Sequence, residues 1–129
     1  MSRENVETVR RAFELKVLGQ GGHAELAVFD PNVVINSVEE GPSYGLQAIR
    51  DNFERWASVW DPLEATAEEF VDAGDRVLVT ARHRGRGRGS GIEVDAHFHE
   101  VYTLRDGKIT RVDEFNERSK ALEAAGLSG

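Results

Sequence analysis

The sequence contains no cysteine among its 129 residues. This excludes thiol chemistry, cysteine-based zinc sites and a disulfide framework, and it is typical of a reducing compartment. No apolar run approaches the length of about 20 residues that a membrane-spanning helix needs, and the N-terminus lacks the apolar segment of a signal peptide. We therefore expect a cytoplasmic protein with no membrane partner.

Positive charge is also scarce. The formal net charge is -7, with 16 basic and 23 acidic residues. Affinity for nucleic acid comes mainly from neutralised phosphates, so this balance opposes a nucleic-acid partner. The length predicts a single domain over residues 1–129 that buries about two-thirds of its unfolded surface.

The strongest local signal is the stretch Ile92 to Glu117, which predicts two long strands joined at Asp106-Gly107. An Asp-Gly pair between alternating segments favours a type I′ hairpin turn. One face of the first strand is apolar except for Glu100. A carboxylate in a buried apolar face must find a partner or line a wet cavity, because its desolvation alone is unfavourable by several kcal/mol.

The rest of the chain reads as helices followed by strands. We predict an N-terminal amphipathic helix ending at Gly19, a short helix HAELAVF, a strand at Val33–Ile35, a loop EEGPSYG and a third helix from Leu46 to Trp60. Strands around Phe70 and Val77 to Ala81, joined by DAGD, precede the hairpin, and a terminal helix SKALEAA follows it. This order predicts an α+β fold whose helices pack on one face of a curved sheet.

Several of these segments together resemble the SnoaL-like branch of the nuclear-transport-factor-two-like superfamily. They are YGLQAIRDNFERW, AGDRV, GRGRGSGIEV, VYTLRDGKI and KALEAAGL, and the resemblance covers nearly the whole chain. It implies a cone of strongly bent antiparallel sheet, closed by helices around one pocket. The superfamily holds cyclases, isomerases, hydrolases and non-catalytic domains, so the fold alone does not select a reaction.

The resemblance implies candidate site residues. Polyketide cyclases of this type place a carboxylate and a histidine at positions that look like Glu114 and Glu100. Ketosteroid isomerases place a base and a protonated acid at positions that look like Asn36 and Glu100. Limonene-type epoxide hydrolases use an Asp-Arg-Asp set that looks like His83, Ala81 and Glu114. None of the three sets is complete in this sequence.

The residues themselves suggest a catalytic group made of Glu100, a carboxylate on the facing strand and His83 on the neighbouring strand. Two carboxylates in an apolar pocket cannot both stay ionised cheaply, so one serves as acid and the other as base. Simple pairing across the turn places Glu100 opposite Asp113, whereas a one-residue bulge in the last strand places it near Glu114. The resemblance favours Glu114. The structural alternative is a carboxylate paired with an arginine or reaching solvent.

The predicted site therefore has catalytic and substrate-binding members. Glu100, Glu114, His83 and Asn36 are the catalytic candidates, and the pocket wall is expected to contain Trp56, Phe98, Tyr102 and Val112. Trp56 could equally belong to a core stripe with Trp60, and Asn36 could be a turn residue.

Two other patterns favour structural explanations. His97, His99 and Asp95 share one strand face and could bind a metal, but that face is predicted to point outward and the site would not be closed, so we expect no metal. An arginine and glycine run is interpreted as a solvated hairpin tip; its members are Arg82, Arg84, Arg86 and Arg88.

The sequence thus favours a cofactor-free enzyme of the cyclase, isomerase or hydrolase type that acts on a small hydrophobic molecule. The alternative is a non-catalytic ligand-binding or dimerisation module with the same pocket. No phosphate-binding glycine motif precedes a helix. We also expect a homodimer formed through the outer sheet face that carries His97, His99, Val101 and Thr103.

Overall fold

The computed structural model describes residues 2–17, 28–38 and 41–127. These ranges form helices α1 (Ser2–Val17), α2 (Leu46–Val59) and α3 (Arg118–Ala124), and strands β1 (Phe29–Ser37), β2 (Gly41–Tyr44), β3 (Trp60–Asp72), β4 (Arg76–Gly87), β5 (Glu93–Arg105) and β6 (Lys108–Phe115). The predicted short helix HAELAVF falls largely on residues 18–27, which lie outside the described residues. Its last residue, Phe29, belongs to β1 instead.

The six strands form one open sheet in the order β2-β1-β6-β5-β4-β3. Neighbouring strands are antiparallel except for β1 and β6, which are parallel. The α+β class predicted from the sequence is confirmed. The parallel pair was not predicted, and it allows the first strand to lie beside the last one.

The hairpin between β5 and β6 forms as predicted. Asp106 and Gly107 have φ angles of 51° and 77°, the positive pair that a type I′ turn needs. The pairing of β5 with β6 shifts by one residue, because Thr103 faces Arg111 whereas Leu104 faces Ile109. Thr110 is therefore an extra residue in β6. It forms the one-residue bulge that was one of the two alternatives for the partner of Glu100.

The main core lies on the inner face of the sheet, which we define as the face covered by α1 and α2. Val77, Val79 and Ala81 of β4 are fully buried there, together with residues of both helices and of β1, β5 and β6. This confirms the predicted inward set of β4. Period-two alternation explains it, since these side chains project to the same side of the strand.

The outer face carries a second, smaller core. Ala121 and Leu122 of α3 pack there against Leu78 and Val101, which have 0% and 1% of their surface exposed. The prediction that all helices lie on one face is therefore wrong. The apolar residues of α3 are buried only because β4 and β5 are apolar on both faces at this point.

Two local predictions also fail. The segment that reads as a loop contains strand β2, which pairs with β1 at the sheet edge. The helix predicted from Leu46 to Trp60, which is α2, ends at Val59. Trp60 is the first residue of β3, which continues through Pro62. Pro62 is tolerated because β3 is an edge strand and its pairing with β4 is irregular between Trp60 and Leu63.

Candidate functional site

Glu100 and Glu114 lie directly opposite each other. Glu100 of β5 pairs with Glu114 of β6, and with Val79 of β4 on its other side. The bulge at Thr110 produces this register and turns Asp113 to the other face. Glu100 has only 4% of its surface exposed, and Glu114 is half-buried. The structure therefore places two carboxylates side by side on the inner face.

The carboxyl group of Glu100 is poorly satisfied. The Tyr102 hydroxyl donates a hydrogen bond to Oε2 at 3.5 Å, a distance at the outer limit for such a bond. Oε1 is buried and has no hydrogen-bond partner among the described residues. Unsatisfied buried oxygens are rare in folded proteins, so this atom is a candidate contact for a ligand.

Tyr102 is held in its neutral form. Burial raises the pKa of its phenol well above the usual value, and the nearby charge of Glu100, the hydrogen bond to Glu100 and the charge of Glu114 act in the same direction. The neutral phenol is thus a hydrogen-bond donor to Glu100. Sequence reasoning assigned Tyr102 only to the pocket wall, although its position two residues after Glu100 on the same strand face could have indicated the contact.

Glu114 is held by a backbone group. The N–H of Val38, directly after β1, donates to Oε1 of Glu114 at 3.3 Å. The contact depends on the parallel pairing of β1 with β6, which brings the end of β1 beside the end of β6. Sequence reasoning missed this donor because no local pattern indicates that pairing.

His83 lies on the inner face but not beside the carboxylates. It pairs with Ala96, whereas Glu100 pairs with Val79, four residues earlier along β4. Four residues correspond to about 13 Å along a strand. The His83 ring is 7% exposed and contacts Phe98, with 5.0 Å between ring centroids. By strand register, Phe98 of β5 and Ala81 of β4 therefore lie between His83 and Glu100.

Asn36 lies on the outer face. Its Nδ2 donates to Oδ1 of Asp113 at 3.4 Å, and Asp113 pairs with Val101 of the outer core. Ile35, one residue earlier, belongs to the inner core. The structure does not bring Asn36 to Glu100, because neighbouring residues of a strand point to opposite faces.

The predicted pocket wall is only partly described. Tyr102 and Val112 are 4% and 6% exposed and contribute to the inner core, while Phe98 is half-buried. Trp56 belongs to α2, but its side chain lies outside the described residues. Phe98, Tyr102 and Val112 thus lie on the inner face with Glu100, and a hydrophobic pocket at this place stays a prediction.

The histidines of β5 have separate partners. His97 contacts Glu68 at 2.8 Å, and Nδ1 of His99 lies 2.9 Å from the Thr80 hydroxyl. Burial lowers the pKa of His99, as do the charges of Arg118 and His97. Within the described ranges, no cluster of three side chains is arranged to hold a metal ion.

The arginine run is partly neutralised across β4 and β5. Arg82 donates two hydrogen bonds to Asp95 at 2.8 and 2.6 Å, and Arg86 donates one to Glu93 at 3.0 Å. These pairs lie at the solvent-exposed surface, as predicted. The prediction of a hairpin tip is wrong for Arg82, Arg84 and Arg86, which belong to the paired part of β4, whereas Arg88 lies in the turn before β5.

A separate open depression lies along α1. The lining side chains that the structure describes are charged or polar, namely Glu7, Thr8, Arg10 and Arg11. It shares no residue with the carboxylate pair. The Arg10 guanidinium lies 4.5 Å from the centroid of the Phe70 ring, so this arginine packs on the sheet beside the helix.

Comparison with known proteins identifies the class. The sequence model of the SnoaL-like domain matches residues 9–112, and the chain belongs to that family. No curated protein matches the chain. None of the helices in the described ranges combines the length and apolarity needed to cross a membrane.

Solved structures agree with this fold. One neighbour, from Jannaschia sp. CCS1, carries the name of a SnoaL-like polyketide cyclase; it is 26% identical, with a TM-score of 0.80 over 100% of this chain and 96% of its own. TerC, co-crystallised with polyporic acid, is 21% identical with a TM-score of 0.75 over 95% and 98% of the two chains. A Catenulispora acidiphila protein with a ketosteroid isomerase-like fold, in complex with trimethylamine, is 18% identical with a TM-score of 0.70 over 90% and 92%.

Proposed function

We propose that this protein is a small-molecule enzyme of the SnoaL-like type, acting on a hydrophobic substrate by proton transfer between Glu100 and Glu114. The observation that carries the proposal is the direct pairing of these two carboxylates on the inner face, with Glu100 only 4% exposed. No cofactor is needed for this chemistry. The names of several structural neighbours are compatible with it.

In the proposed reaction, one carboxylate removes a proton from a carbon next to a carbonyl group. The other, in its protonated form, donates to the carbonyl oxygen as negative charge develops there. Returning the first proton to a different carbon gives isomerisation, and attack of the enol carbon on a second carbonyl gives cyclisation. Two facing carboxyl groups suit this work, because one can act as the general base while the other acts as the general acid.

Other residues support the pair in this proposal. The Tyr102 phenol orients the Glu100 carboxyl group, and Phe98, Val112 and Trp56 belong to the substrate wall. His83 lies beyond Phe98, about 13 Å along the strand from the position of Glu100. In this proposal it therefore contacts the bound substrate and takes no part in proton transfer. Asn36 has no part, since it lies on the outer face with Asp113.

A homodimer and a cytoplasmic location remain predictions. The outer face available for association is smaller than the sequence indicated, because α3 and neighbouring strands bury Val101 and His99. Thr103 and His97 are the members of that set that stay accessible. A dimer through this face would therefore form beside α3.

The test uses 2-tetralone, a hydrophobic ketone with acidic carbon-bound protons. Exchange of these protons for deuterium in D₂O is followed by proton NMR at neutral pD, with protein and without it. We expect the protein to accelerate exchange, and Glu100→Gln and Glu114→Gln each to reduce the acceleration by about 100-fold, the typical contribution of a general acid or base.

Asp113→Asn is the matched control. It removes a neighbouring carboxylate from the same strand but from the opposite face, so its exchange rate should match that of the unsubstituted protein. Equal exchange with and without protein would contradict the enzyme and favour a non-catalytic ligand-binding module. Acceleration that survives both Gln substitutions would contradict the catalytic roles of Glu100 and Glu114.

A further inference from the structure

The Oε1 atom of Glu100 is a buried acceptor that lacks a donor. Within the part of the chain that the structure describes it has no hydrogen-bond partner, and its residue is 4% exposed. Buried carboxyl oxygens in native proteins are nearly always satisfied by a donor. A bound molecule would supply that donor. Its recognition would also give a role to a carboxylate buried at this position.

Two donors that the structure describes close to the carboxylates are already engaged with other oxygens. The Tyr102 hydroxyl donates to Oε2 of Glu100, and the Val38 backbone N–H donates to Oε1 of Glu114. A hydroxyl has one proton to give, and a backbone amide likewise. Neither group can satisfy Oε1 of Glu100 without leaving its present acceptor.

Among the described strand neighbours of this atom, the charge opposes negatively charged molecules. By strand register, the inner-face neighbours of Glu100 are Val79, Glu114, Phe98 and Tyr102. None of these side chains is a cation, and the one charged neighbour is a second carboxylate. A carboxylate or phosphate placed here would meet like charge in a medium of low dielectric constant.

We infer that the Glu100 and Glu114 site prefers molecules that carry an O–H or N–H group and no negative charge, with that group donating to Oε1 of Glu100. The inference uses the site of the proposed function and specifies what that site recognises. It concerns binding at equilibrium, so it can be tested whether or not the protein catalyses proton transfer.

Three matched probes separate the contributions. Indole has an N–H donor, 1-methylindole keeps the ring without the donor, and indole-2-carboxylate keeps the donor but adds negative charge. Their dissociation constants are measured at pH 7 by chemical-shift titration of the ¹⁵N-labelled protein. We expect indole to bind about tenfold more tightly than 1-methylindole, the ratio for one hydrogen bond to a charged group, and indole-2-carboxylate to bind more weakly than indole by a similar factor.

Two substitutions assign these preferences to Glu100. Glu100→Leu removes the acceptor, so indole and 1-methylindole should bind equally. Glu100→Gln keeps an acceptor without the charge, so the preference for indole should survive while the discrimination against indole-2-carboxylate decreases. Asp113→Asn, on the opposite face, should change neither ratio. The Gln variant also guards against loss of folding in the Leu variant.

The inference is overturned if none of the probes binds, if 1-methylindole binds as tightly as indole, or if indole-2-carboxylate binds most tightly. Its failure differs from failure of the proposed function. A donor preference that depends on Glu100, without any acceleration of 2-tetralone exchange, would support the inference and contradict the enzyme. Exchange that depends on Glu100 without a donor preference would do the reverse.

Discussion

Tyr102 makes the alkaline stability of this protein predictable. Its side chain is 4% exposed, and burial together with the charges of Glu100 and Glu114 raises the pKa of the phenol in the folded state. In the unfolded chain the pKa of a tyrosine is about 10. Above pH 10 the unfolded state therefore releases a proton that the folded state retains, and the free energy of unfolding falls as pH rises.

The size of the effect follows from this difference. The stabilisation is fully present below about pH 10 and is lost at up to about 1.4 kcal/mol per pH unit above it, until the pH reaches the folded-state pKa. Between pH 8 and pH 11 the loss from Tyr102 amounts to about 1.4 kcal/mol. Tyr102→Phe removes the titrating group. Between pH 8 and pH 11, the free energy of unfolding of Tyr102→Phe should therefore decrease by about 1.4 kcal/mol less than that of the unsubstituted protein.

The measurement is urea unfolding at pH 8, 9, 10 and 11, followed by circular dichroism. Tyr44→Phe is the control, because Tyr44 is 70% exposed and lies on the edge strand β2. At pH 8 the Tyr102→Phe variant should be less stable by about 1 kcal/mol at most, since the bond it loses is long. Parallel declines for the unsubstituted protein and Tyr102→Phe would refute the reasoning, as would an equal flattening in Tyr44→Phe.

Three further perturbations test the fold and the site. Glu100→Gln should be as stable as the unsubstituted protein at pH 7, because no cation contacts Glu100 in the described ranges; a loss of about 3 kcal/mol in thermal denaturation would instead reveal a broken buried ion pair. Burial and the charge of Arg118 lower the pKa of His99 in the folded protein below 6.5. The unfolded chain therefore binds the proton more readily, and the free energy of unfolding should decrease as the pH falls below 6.5. His99→Gln should reduce this loss of stability between pH 7 and pH 5, and an unchanged loss would contradict the assignment to His99. Gly107→Ala should destabilise by about 1 to 2 kcal/mol in urea, since its φ is 77° and an added Cβ meets no atom within 4 Å, leaving the backbone alone as the cause; an unchanged midpoint would contradict the turn.

The parts of the fold that the sequence predicts are those determined by neighbours in the chain. The turn at Asp106-Gly107 needs only a residue that tolerates positive φ followed by glycine, and the inward set of β4 needs only period-two alternation. The terminal helix is also local, with Gly126 at φ 80° after its end. In each case the physical cause acts within a few residues, so the pattern is sufficient.

The elements that were missed depend on partners far along the chain. Strand β2 is short, contains Pro42 and has a strand only on one side, so its existence depends on β1. The start of β3 at Trp60 depends on pairing with Gly87. The position of α3 depends on the apolar outer side of β4 and β5. Helical or loop propensity cannot reveal these contacts, because packing decides between conformations of similar local free energy.

The candidate site shows the same division most clearly. Glu100 is recognisable from the sequence because it interrupts an apolar alternation, and that signal requires no knowledge of the partner strand. The identity of the facing carboxylate depends on one inserted residue, Thr110, which sends Asp113 outward and Glu114 inward. The same alternation of faces keeps Asn36 away from Glu100, since its pairing with Asp113 puts it on the outer face. In a sheet whose neighbouring positions point to opposite faces, a single bulge thus decides which acidic residue can take part in the proposed proton transfer.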